Sequence, residues 1–275
     1  MCVKLFMKKI PKKLPKPTPK TSNLISGLFY VLLNALLAVA VVVLVNLFDA
    51  PWLGLAAIAV SKWRIFAVKI RFWWANLVSN LTDILVGISY VLLVYYIGGD
   101  QMIYQIGSAL LYIIWLLMIK PGTSSLKIMT QSLIAMFLVN LNLSLFGYRW
   151  PILVFLMVEM FIAYNIMGHY LKNADFEIKY TRLMSGVWAL IMMELAWIYW
   201  HWMIGYNFVA GIKVSQFAIV STALTFLTYK VLFYMNQEAD QNHRNLQIDL
   251  LASIGFVVVL ILVMLLFFSK PLIKL

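Results

Sequence analysis

Apolar runs of roughly twenty residues, each closed by a short polar or basic turn, recur from Ile25 to Phe268. Runs of that length fix the solvent. In hydrocarbon, backbone N–H and C=O groups have no water to bond, so a crossing segment must be a helix or part of a closed barrel. The runs are continuous rather than alternating, which selects the helix. At 64% hydrophobic and 12% charged residues, the chain carries more apolar surface than a water-soluble core encloses. Soluble domains lie nearer about 45–50% and about 25%. The expected fold class is all-α: a polytopic transmembrane helical bundle, one domain over residues 25–275, surrounded by a lipid bilayer.

The expected spans are Ile25–Phe48, Leu53–Ala67, Asp83–Ile97, Met102–Ile119, Leu126–Phe146, Pro151–Leu171, Leu183–Gly205, Ser215–Met235 and Ile248–Phe268. Leu53–Ala67 is short for a crossing, because Lys62 and Arg64 arrive early. The count is nine spans if it crosses and eight if it is re-entrant. Residues 1–24 hold seven lysines and four prolines, which argues against a stable helix. They read as a basic, disordered cytoplasmic tail, able to touch anionic lipid or to recruit a protein partner, rather than as a signal peptide.

The formal net charge of +12 invites a nucleic-acid reading, but no such motif accompanies it. The cations instead flank the spans. With nine spans, Lys62, Arg64, Lys69, Arg71, Lys120, Lys127, Lys172, Lys179, Arg182 and Arg244 fall on one side with the N-terminus. The positive-inside rule makes that side cytoplasmic and the location a cell membrane. Within Ser61–Asn80, helical periodicity puts Trp63, Phe66, Ile70, Trp73, Trp74 and Leu77 on one side and Lys62, Arg64, Lys69, Arg71 and Asn76 on the other. This is the pattern of an interfacial amphipathic helix, with Lys62, Arg64, Lys69 and Arg71 contacting lipid headgroups on the anionic cytoplasmic face.

Two carboxyls fall inside the membrane. Glu159 sits near the middle of Pro151–Leu171, and Glu194 near the middle of Leu183–Gly205. A charged side chain there costs at least a few kcal/mol unless it is paired, protonated or wet. Consecutive antiparallel helices are usually neighbours, so the two are expected to meet and share a proton. His201, on one stripe with Glu194 and Trp197, and His169 extend this into a ladder of proton-exchanging groups. The structural alternative is that each is a neutral, hydrogen-bonded link between helices.

Gln131 and Asn142 share a helix face, and Ser221, Thr225 and Thr228 form a stripe, both read as interhelical hydrogen-bonding surfaces. Lys230 on a late helix raises a retinal reading, but its place near a helix end fits a snorkelling lysine. No HExxH, GxSxG or P-loop pattern is present. No catalytic residue, metal site or cofactor is assigned, although a lipid-modifying enzyme remains an alternative. The lone Cys2 allows no disulfide within the chain.

The segment SKWRIFAVKIRFWWAN resembles one in uncharacterised polytopic membrane proteins of reduced-genome candidate-phylum bacteria of the Saccharibacteria group. The resemblance covers Ser61–Asn80 and its surroundings. It implies a bacterial cytoplasmic membrane and transfers no activity and no functional residue. Two functions follow from the residues: a small proton- or cation-linked transporter or channel working through Glu159, Glu194, His169 and His201, or a membrane scaffold or assembly subunit without transport.

Overall fold

The computed structural model describes residues 24–98, 101–173, 180–207, 213–237 and 243–267. The expected basic tail and the closing residues after 267 lie outside them. The described chain is helical apart from one small hairpin, as the unbroken apolar runs require. Its helices are α1 (Leu24–Phe48), α2 (Pro51–Ser61), α3 (Trp73–Ser79), α4 (Leu81–Ile97), α5 (Met102–Ile114), α6 (Ser125–Phe146), α7 (Ile152–Asn173), α8 (Thr181–His201), α9 (Gln216–Gln237) and α10 (His243–Phe267). Seven helices are long and apolar enough to cross a membrane, or eight if the bent α3–α4 pair is one span. The chain is thus built as a multi-pass membrane protein.

The ninth expected span is where the sequence reading needs correction. α2 has only 11 residues, about 16 Å at 1.5 Å per residue, roughly half of a hydrocarbon core. It nevertheless returns the chain to the end from which α1 started, because it runs antiparallel between α1 and α4. Two glycines set this close approach. A Cβ on Gly54 would lie 2.7 Å from Val45 Cγ2 and 2.8 Å from Val91 Cγ1, and one on Gly87 would lie 2.9 Å from Ile58 Cγ2. The third contact along the same seam is Lys62 on Asp83.

Ser61–Asn80 is not the single amphipathic helix that its periodicity suggests. It breaks into 3₁₀ turns at Trp63–Ile65 and Ile70–Phe72 before α3 begins, and α4 leaves at 67° to the Ile70–Ser79 helix. The Trp73 indole folds back to donate to the Val68 carbonyl at 3.0 Å and meets Phe66 edge-on. Those contacts within the segment override the helical period. The segment's aromatics stay exposed, with Trp63, Ile70 and Trp74 each more than 60% accessible, as suits an interface.

From α4 onward the helices alternate in direction. α5 continues through a π-helical turn, Trp115–Ile119. α7 packs along α8 and α6 along α9. After α8, β1 (Gly205–Asn207) pairs antiparallel with β2 (Lys213–Ser215), with Tyr206 opposite Val214. The core runs through the bundle on Val41, Tyr90, Trp115, Met136, Ile166, Met192 and Tyr229, with stacked pairs Tyr90–Tyr112 at 4.2 Å and Tyr170–Tyr229 at 3.7 Å. One end of the bundle collects Lys62, Arg64, Lys69, Arg71, Lys120, Lys127, Lys172 and Arg182; the other holds Arg149 and Lys213.

Candidate functional site

The polar centre of the bundle is built on α6, α7 and α9. Phe155, Glu159, Ile162, Ala163 and Ile166 share the inward face of α7, and Glu159 is fully buried. Its polar neighbour is Asn140 of α6, whose amide donates to Ser221 Oγ of α9 at 2.7 Å. Neither Glu159 oxygen forms a hydrogen bond of good geometry, and Asn140 Oδ1 also lacks a donor. A lone carboxylate here would be an uncompensated buried charge, which costs several kcal/mol.

Glu194 does not join this centre. It is seven residues from the C-terminal end of α8, as Glu159 is seven from the N-terminal end of α7. The two helices are antiparallel neighbours, so the carboxyls share a depth, about 10 Å from the less basic end. Helical phase separates them. α8 buries Ser185, Trp188, Ala189, Met192 and Ala196, and Glu194 lies on the opposite side, exposed on the outside of the bundle. The expected paired carboxyl site is therefore not formed.

The histidines do not complete a ladder either. His169 Nε2 is 3.3 Å from Gln131 Oε1, and the Gln131 amide nitrogen points at the carbonyls of Ile119, Lys120 and Gly122 at 2.8–3.2 Å. That orientation makes Gln131 Oε1 the acceptor and His169 Nε2–H the donor, so this histidine ties α7 to the turn after α5. His201 ends α8, exposed between the rings of Trp197 and Trp200 at 5.1 Å from each.

Of the four cations expected at headgroups, Arg64, Lys69 and Arg71 are exposed. Lys62 is turned inward instead, and this corrects its assignment. Its ammonium pairs with Asp83, whose carboxylate also takes Lys120 Nζ at 2.8 Å and the Trp115 indole N–H at 3.2 Å. The Lys62 and Asp83 side chains are 10% and 11% exposed. No side chain caps α4; the Asp83 carboxylate serves three donors, one from the end of α2 and two from the π-helical turn and its C-cap. Beside this cluster lies an apolar cavity of about 410 Å³ walled by Val86, Tyr90, Tyr112, Trp115 and Phe137, with the Tyr112 hydroxyl unpartnered.

Several other polar groups bond within or between helices. Thr222, Thr225 and Thr228 each donate to the carbonyl four residues back, and Asn142 reaches the Ser89 carbonyl of α4 at 3.2 Å. Lys230 pairs with Asp249 of α10 at 2.7 Å, which accounts for it without a retinal linkage. No family model, curated protein or solved structure matches the chain.

Proposed function

We propose that this protein is a membrane assembly subunit that pairs with a second copy of itself through the outer face of α8. The observation that carries the reading is Glu194, a carboxyl exposed on the outside of a membrane-spanning helix, about 20 Å from its basic end. A polar group facing hydrocarbon is costly, and such groups mark contacts or pathways. The interior pathway is not available to it, since it points away from Glu159.

The same face supplies the rest of an interface. Val187, Leu190, Glu194, Trp197 and His201 are all exposed and spaced three, four, three and four apart. That spacing is the seam of a left-handed helix pair, in which one polar residue fixes register and stoichiometry. Two copies inserted the same way meet about a two-fold axis along the membrane normal, so each position faces itself. Facing each other, the two Glu194 carboxyls can hydrogen-bond across the seam with no further component. The excess of cations at the other end of α8 supports a cytoplasmic basic end, and with it a cytoplasmic N-terminus.

The experiment uses the chain with Cys2→Ser and Leu190→Cys, oxidised in native membranes. A disulfide-linked dimer is expected, retained when Glu194→Gln is added and reduced about threefold or more by Glu194→Leu, for one interhelical hydrogen bond worth about 0.6 kcal/mol or more. Absence of the dimer, or a dimer indifferent to Glu194→Leu, overturns the proposal. A cross-link to a different chain at Leu190→Cys also overturns it and points to a foreign helix opposite Glu194.

A further inference from the structure

A cavity of about 600 Å³ opens at the basic end between α3, α7 and α8. It is unlike the other cavities of the bundle. Lys172 and Arg182 both line it, with Asn173 and Thr181 between them and Trp74 and Tyr164 on its flanks. Among the described residues neither cation forms an ion pair. Arg182 lies in the first turn of α8, which has no acidic residue. A cation there is opposed by the positive end of the helix dipole. Lys172, in the last turn of α7, is favoured by its own helix, so Arg182 is the placement that helix stability does not explain.

From these residues we infer a binding site for the phosphate of an anionic phospholipid. Two cations from consecutive helices converge on one cavity, and the Thr181 hydroxyl lines it beside them, a further donor for a phosphate oxygen. Such basic pockets between transmembrane helices are where acidic headgroups are held. Trp74 belongs to α3, the helix lying at the membrane interface, and Trp and Tyr sit at headgroup depth. A lipid anchored here keeps its acyl chains in the bilayer beside α3, whereas a soluble phosphate has no use for the aromatic flank. The site is separate from the α8 seam, because Glu194 lies twelve residues along the helix from Arg182.

The test places the full chain in nanodiscs of equimolar phosphatidylglycerol and phosphatidylcholine and counts retained lipid by native mass spectrometry after release into detergent. Wild type is expected to keep phosphatidylglycerol over phosphatidylcholine. Lys172→Gln with Arg182→Gln is expected to lower that retention about fivefold per cation removed. Lys127→Gln with Arg149→Gln, equal in charge but outside the cavity, is the control and leaves it unchanged. Lys172→Arg with Arg182→Lys shows that the folded cavity tolerates substitution and keeps the lipid. Equal loss in the control pair, or no lipid preference in wild type, overturns the site. Displacement of the lipid by millimolar inorganic phosphate overturns the lipid and assigns the cavity to a soluble phosphate.

Discussion

Glu159 and Glu194 share residue type, depth and distance from a helix end, yet one is sealed in the core and the other faces outward. Their presence inside the membrane was legible, because a carboxyl in a twenty-residue apolar run needs no alignment to be noticed. Their separation was less so, although the sequence holds a sign of it. Ser185, Ala189 and Ala196 are small residues on one side of α8, and small residues mark where helices approach closely; Gly168 of α7 indeed lies 3.5 Å from Ser185 Oγ when given a Cβ. Glu194 is about 140–180° around the helix from all three. The Asp83 cluster had no such sign. Its partners lie 21 residues before and 32 and 37 residues after it, and only packing joins them. Asp83→Asn leaves Lys62 sequestered without a counter-charge, and is expected to cost about 3–5 kcal/mol. Lys62→Met with Asp83→Leu is expected to recover most of this, with Lys120 swinging to water. Thermal unfolding in detergent measures both, and a loss below about 1 kcal/mol for Asp83→Asn would show that the cluster is not strongly coupled.

At the scale of elements, the short α2 and the broken stretch before α3 are the departures from expectation; the first ends on a contact distant in sequence, Lys62 with Asp83, and the second on contacts within the segment itself. A periodic pattern states which face is apolar but not whether a helix continues through it. Lys62, held on Asp83, ends α2 where the apolar run could have gone on. The glycines then decide how close α2 lies. Gly54→Leu forces a side chain against Val45 and Val91, two β-branched residues with little rotamer freedom. The expected effect is a loss of about 1–3 kcal/mol from overpacking, together with weaker coupling between Lys62 and Asp83. The check is a double-mutant cycle on stability: in the Gly54→Leu background, Asp83→Asn should cost clearly less than in wild type. An unchanged cost would mean that α2 does not hold Lys62 in place.

For the whole molecule, helix content and the gathering of cations at one end of the described residues followed from composition and charge order alone. The span count did not, since it turns on an 11-residue helix that completes a change of direction without the length of a crossing. Single cysteines at Lys127, Arg182 and Lys213 in a Cys2→Ser background test the arrangement. The first two are expected to react with an impermeant maleimide only from the cytoplasmic side, and the third only from the opposite side. Labelling of Lys127→Cys and Lys213→Cys from one side would refute the alternating order. Asn140 and Ser221 add a matter of timing. They are bonded in the finished protein but stand 81 residues apart, and a ribosome adding about 5–20 residues per second needs roughly 4 to 16 seconds to cover that distance. During that interval Asn140 enters the membrane before its partner has been synthesised. α6 must therefore wait in the insertion machinery, or shelter its amide against α4, until α9 emerges.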